Sequence, residues 1–185
     1  FNISDLVSIK CGKNHSIFLD RHGLCFGCGI DSHGQLGLID QLETKSAIII
    51  NKIAPMSHLS NIKQIDCNDN TTLALSKDNI FFINGENNYS QLGNSQINGY
   101  HINILTNFND DNIIITDFCS GKHHTLCLTN KGVLYCFGRN HCYQSGIFST
   151  TNNISKPTII HNNIASIKTY ENHNIIKQSN NKYIS

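Results

Sequence analysis

Apolar residues along this chain come in short runs split by polar ones, and the longest unbroken run, Val133 to Phe137, has five. A 3.6-residue helical period is weak throughout, so the runs read as strands. Residues 16–19, 73–75 and 125–128 are apolar-rich and each follows a tight turn. Short connections with Asp, Asn or Gly then lead into 24–28, 80–84 and 133–137, which is the composition of a hairpin. A further strand is expected near 47–53, 101–105 and 158–160. The last strand of each unit, at 62–65, 113–117 and 164–168, leads into the next.

These strands recur as a unit. One copy holds Cys11-Gly12-Lys13-Asn14-His15, then Gly29, then Gly34-Gln35-Leu36-Gly37. A second holds Cys67, Gly85 and Ser90-Gln91-Leu92-Gly93, and a third Gly121-Lys122-His123-His124, Gly138 and Gln144-Ser145-Gly146. The glutamines are 56 and 53 residues apart, with a Gly six before and two after each. Ser166-Ile167-Lys168 and Asn172-His173 repeat Ser8-Ile9-Lys10 and Asn14-His15 at a constant offset of 158. Four short antiparallel strands per unit predict an all-β fold, a β-propeller of four-stranded blades with about three and a half blades present. The expected units are 7–61, 62–112, 113–164 and an incomplete 165–185. Such an arc leaves edge strands open, so the ring is expected to be completed by further sequence or by another chain. A start at Phe1 fits an excerpt or a processed product.

Composition narrows the function classes. Lys and Arg number 14 against 13 Asp and Glu, a net charge of +1, which argues against a strongly basic nucleic-acid surface. The 26 Asn, 28 Ile and 12 Lys against 2 Arg reflect A+T-rich coding more than function. No apolar stretch approaches the roughly 18 residues of a membrane span. Of the eight cysteines, Cys25 and Cys136 sit inside apolar runs, where a free thiol acts as a small hydrophobe. The expected setting is reducing and intracellular, cytoplasm or nucleus.

Candidate chemistry is sparse. His15, His124 and His173 share one repeat position, so they fall on different blades and do not converge on a zinc with bonds near ~2 Å. Each reads as hydrogen-bonding across its blade turn. Cys25-x-x-Cys28 lies in an extended run that puts the thiols on opposite faces, with no helix behind it to lower a thiol pKa. There is no phosphate-binding glycine loop, and the three Glu residues, Glu43, Glu86 and Glu171, form no recurring carboxylate pair. The chain is therefore expected not to be an enzyme and to need no cofactor. Gly12, Gly29, Gly37, Gly85, Gly93, Gly121, Gly138 and Gly146 read as architectural, as do Gln35, Gln91 and Gln144.

The pattern resembles the regulator-of-chromosome-condensation family of β-propellers. The likeness rests on Cys11-Gly12-x-x-His15-Ser16, Gly23, Cys28-Gly29 and Gly34-Gln35-Leu36-Gly37. It returns as Gly121-x-x-His124, Gly132-x-x-Tyr135-x-Phe137-Gly138 and Gln144-Ser145-Gly146, followed by Pro157. Asn68 and Thr71 replace the Gly and the His in the second unit, and Ser145 replaces Leu in the third. The resemblance implies a ring of about seven blades. It also implies a protein–protein scaffold, or alternatively a guanine-nucleotide exchange factor or regulator for a Ran-type small GTPase. Chromatin docking through histones is a further family role that this charge does not favour. The longest variable stretch, 39–60, is the candidate partner-binding loop and carries Asp40, Glu43, Lys45 and His58.

Overall fold

Each short apolar run pairs with its neighbour in sequence, and every pairing is antiparallel. The computed structural model describes residues 2–38, 48–94, 103–104, 113–147 and 152–184. These divide into two units: Phe1–Glu86 with Asn98–Leu105, and Asn87–Ile97 with Thr106–Ser185.

In the first unit a 3-10 turn, Ile3–Asp5, precedes β1 (Leu6–Cys11), β2 (His15–Asp20), β3 (Cys25–Ile30) and β4 (Ile49–Pro55), which form one sheet in that order. A second sheet follows from β5 (Ile62–Asn68), β6 (Thr71–Ser76), β7 (Phe81–Gly85) and β8 (Asn103–Ile104). Ile17, Leu19, Leu36, Met56, Ile62 and Ile65 pack into one apolar cluster that draws on both sheets.

The second unit repeats the plan. Its first sheet is β9 (Ile115–Ser120), β10 (His124–Thr129), β11 (Leu134–Arg139) and β12 (Asn153–His161). Its second is three-stranded, β13 (Ile164–Tyr170), β14 (His173–Gln178) and β15 (Tyr183–Ile184). Leu126, Leu128 and Leu134 from one sheet meet Ile164, Ile167 and Ile176 from the other. Strands β6 and β10 are buried along their whole length, whereas β2 still alternates. Buried on both faces, they read as near-continuous apolar and small-polar runs such as Thr72-Leu73-Ala74-Leu75.

One difference from the expected strands has a physical cause. The strand at Ile62–Asn68 pairs with β6 and so opens the second sheet instead of closing the first. Alternation tells which face a side chain takes, not which neighbour a strand will join. Its counterpart β1 alternates as a strand does, with its apolar residues Val7 and Ile9 facing outward.

Candidate functional site

The repeat markers meet at one end of each hairpin. His15, Thr71 and His124 open β2, β6 and β10, directly across from Gly29, Gly85 and Gly138. Those three glycines have φ of 109°, 122° and 107°, and at Gly85 a Cβ would overlap the carbonyl oxygen of Asn70. An L side chain is strained there whatever the space.

Gly12 and Gly121 serve a different purpose. Neither has a positive φ, yet a Cβ on either would overlap the imidazole of His15 or His124. The glycine makes room for the ring to lie against the backbone. Held so, the rings reach into the following sheet. His15 Nε2 is 2.9 Å from Thr72 Oγ1, and the His124 Nε2–H donates to Asn174 Oδ1 at 2.8 Å. Thr72 and Asn174 occupy the same repeat position, one residue after Thr71 and His173. That position also ties down the preceding glutamine turn. Thr125 Oγ1 donates to the Gln91 carbonyl at 3.0 Å, and the Asn174 amide donates to the Gln144 carbonyl. Backbone bonds run alongside, from Lys13 N–H to Asp69 O and from Lys122 N–H to Glu171 O, both 2.8 Å.

Burial keeps these rings neutral. It pushes His15 down to about 4, and His124 downward as well against the pull of its Asn174 bond. The Nδ1 of each ring is buried with no hydrogen-bond partner among the described residues. His173 is placed otherwise. Tyr170 stands where Gly12 and Gly121 stand, and the exposed His173 ring meets the Tyr170 ring edge-on at 5.9 Å. His123 turns away from His124, and its ring centroid lies 4.6 Å from that of Tyr89.

The glutamines sit inside tight turns. Gln35, Gln91 and Gln144 each take a backbone N–H from two residues back, those of His33, Tyr89 and Cys142, at 2.8–2.9 Å. Four residues before each Gln stands a carboxylate or amide not singled out from the sequence. Asp31, Asn87 and Asn140 accept from the N–H of Leu36, Leu92 and Ser145 at 2.6, 2.9 and 3.0 Å. Burial pushes the Asp31 carboxyl up, against three backbone amides that favour its charge. The asparagines at the other two positions carry no charge to desolvate. The Asp/Asn recurrence was visible in the sequence at constant spacing. Gly37, Gly93 and Gly146 close the turns with φ of 60°, 72° and 71°.

Of the candidate loop, Asp40, Glu43 and Lys45 lie outside the described residues. His58 is half-buried; Asn84 Nδ2 donates to its Nε2 at 3.0 Å, and its ring stands against Gly37. Burial lowers its pKa. Cys25 is buried and Cys28 half-buried on the same strand, and both are free thiols. A cavity of about 240 Å³ lies between the Gln144 turn and β14, lined by Ser145, His161, His173 and Ile176 among others. It falls below the roughly 300–1,000 Å³ of small-molecule sites.

Within each unit, two consecutive antiparallel sheets joined through their hairpin turns define a repeat protein of the propeller-blade type. Residues 6–35 and 115–144 match the regulator of chromosome condensation (RCC1) repeat, and the chain carries repeats of that kind. The guanine nucleotide exchange factor SRM1 of Saccharomyces cerevisiae is 30% identical over 153 residues, covering 80% of this chain and 30% of its own length. The probable E3 ubiquitin-protein ligase HERC4 of Homo sapiens is 30% identical over 154 residues, covering 83% of this chain and 14% of its own. The crystal structure of yeast RCC1 (Prp20) bound to Kap60 superposes with a TM-score of 0.80 at 23% identity, over 99% of this chain and 44% of that one. The chain thus spans a third or less of these two curated relatives.

The chain was expected not to be an enzyme because it holds no nucleophile or acid–base set, and its similarity to a nucleotide exchange factor overturns that inference. Exchange requires no such set, so a missing one is no argument against activity.

Proposed function

We propose that this protein is an intracellular protein-interaction module that regulates a small GTPase, and that its activity is guanine-nucleotide exchange on a GTPase of the Ran type. The similarity to the yeast exchange factor across four-fifths of the chain carries this reading. An exchange factor accelerates nucleotide release by binding the nucleotide-free GTPase more tightly than the loaded one. Differential binding of that kind calls for a rigid surface, and the clasped turns supply rigidity without any proton transfer. The sheets are blades of a ring of about seven, completed by further sequence or another chain. In this reading the stretch bearing Asp40, Glu43 and Lys45 faces the GTPase, while His58 lies beyond β4 and is held by Asn84. The repeated Gly, His and Gln residues hold the architecture.

A second reading is scaffolding without exchange. The likeness to a ubiquitin ligase, a protein of a different activity, favours it. The two separate in one assay. A Ran-type GTPase loaded with a fluorescent GDP analogue is mixed with the protein, and faster loss of fluorescence is expected. A stable complex with unchanged release would leave scaffolding; neither complex nor faster release would overturn the GTPase reading.

A further inference from the structure

The chain has two arginines, and they are held in opposite ways. Arg21 is ion-paired with Asp5. Arg139, at the end of β11, lies with its guanidinium carbon 4.6 Å from the centroid of the Tyr89 ring. Tyr89 in turn packs on His123, whose carbonyl accepts the Arg139 backbone N–H at 2.8 Å. Among the described residues Arg139 makes no ion pair and no side-chain hydrogen bond, and Tyr89 makes no hydrogen bond through its hydroxyl. Neither side chain has a buried polar atom left unpartnered, and both residues are partly exposed. Solvent therefore meets their donors. A guanidinium offers five N–H donors in a planar fork, and its place over the ring leaves donors free, since no side-chain hydrogen bond or ion pair takes them among the described residues.

From this we infer that Arg139 and Tyr89 form a docking point for a carboxylate of an acidic segment on a protein partner. The fork can take the two carboxylate oxygens in parallel, and the Tyr89 hydroxyl can donate a further hydrogen bond. The ring stack orders the arginine before the partner arrives, which lowers the entropy lost on binding. Equivalent positions in the other repeats do not match. Ile30 and Glu86 replace the arginine, and Glu86 is itself held by Asn70 at 2.9 Å. The site therefore belongs to one turn of the molecule, not to the repeat.

This inference rests on the protein-interaction reading above. Its test is binding of a fluorescein-labelled oligoglutamate by fluorescence anisotropy, with oligoglutamine and a single-stranded oligonucleotide alongside. Arg139→Ala is expected to weaken oligoglutamate binding about tenfold or more. Arg139→Lys, which keeps the charge but loses the fork, should stay within about threefold of Arg139→Ala. Should Arg139→Ala fail to fold, Arg139→Lys and Tyr89→Leu carry the test, each with a loss of binding expected. Undiminished binding by the folded variants would overturn the inference. So would parent protein that prefers the oligonucleotide, or that fails to distinguish glutamate from glutamine. Intact GTPase exchange with no oligoglutamate binding would sink this inference alone; Arg139-dependent binding without exchange would sink the exchange reading alone.

Discussion

The turn at Gly12–His15 and the turn at Tyr170–His173 occupy the same repeat position, and they hold their histidines differently. In the first, the ring lies over a bare Cα, is buried, and reaches Thr72 in the following sheet. In the other, a tyrosine takes the glycine's place and the histidine ring is exposed beside it. The second repeat drops both residues together, with Asn68 and Thr71. Glycine and histidine thus behave as one device. The glycine is there for the space its missing side chain leaves to the ring, and not for a backbone angle.

The hardest blow to that device is Gly121→Ala. The new methyl group would overlap His124, a ring that is fully buried and bonded to Asn174, which itself holds the Gln144 carbonyl. Displacing the ring breaks two links at once. A loss of about 3 kcal/mol is expected, read as a fall in urea midpoint. A Gly121→Ala variant as stable as the parent would break the comparison, because the glycine would then have no ring to accommodate.

The sequence exposes one half of this device better than the other. Strands and hairpins were legible because apolar runs and turn residues alternate at short range, and the repeats multiplied the signal. Gly-x-x-His was legible as a marker, but its partner was not: Thr72 lies 57 residues beyond His15 and is tied to it by the stacking of sheets. The Asp31, Asn87 and Asn140 series was as regular as the glutamines it supports and could have been read from spacing alone. The stack of Arg139 on Tyr89 joins positions 50 apart that differ in every repeat, so no recurrence could announce it.

Acid offers a second way to sharpen the contrast. An unfolded histidine titrates near 6.5, and burial holds His15 near 4 in the folded protein. The unfolded chain therefore takes up the proton first as pH falls. Stability from this group is full above about 6.5, declines between 6.5 and 4, and levels off below 4. Over that window the loss is on the order of 3 kcal/mol. His15→Gln should flatten the decline in unfolding midpoint against pH. An unchanged slope in that variant would show that the ring is not held neutral by the glycine-backed site.

The smallest effect is the most pointed. If glycine and histidine are one device, their substitutions should not add. Gly12→Ala is expected to be costly in the parent, where the methyl group meets the His15 ring. In a His15→Thr background, the solution that the second repeat already uses at Thr71, the same methyl group meets no imidazole, only the Asp69 carbonyl, and should cost less. The coupling energy from the four-member cycle is expected to be about 1–2 kcal/mol, larger than the roughly 0.5 kcal/mol scatter of independent sites. Additive substitutions would separate the two residues. The glycine would then answer to the nearby Asp69 carbonyl, which its Cβ would also approach at 2.7 Å, and the histidine to Thr72 alone.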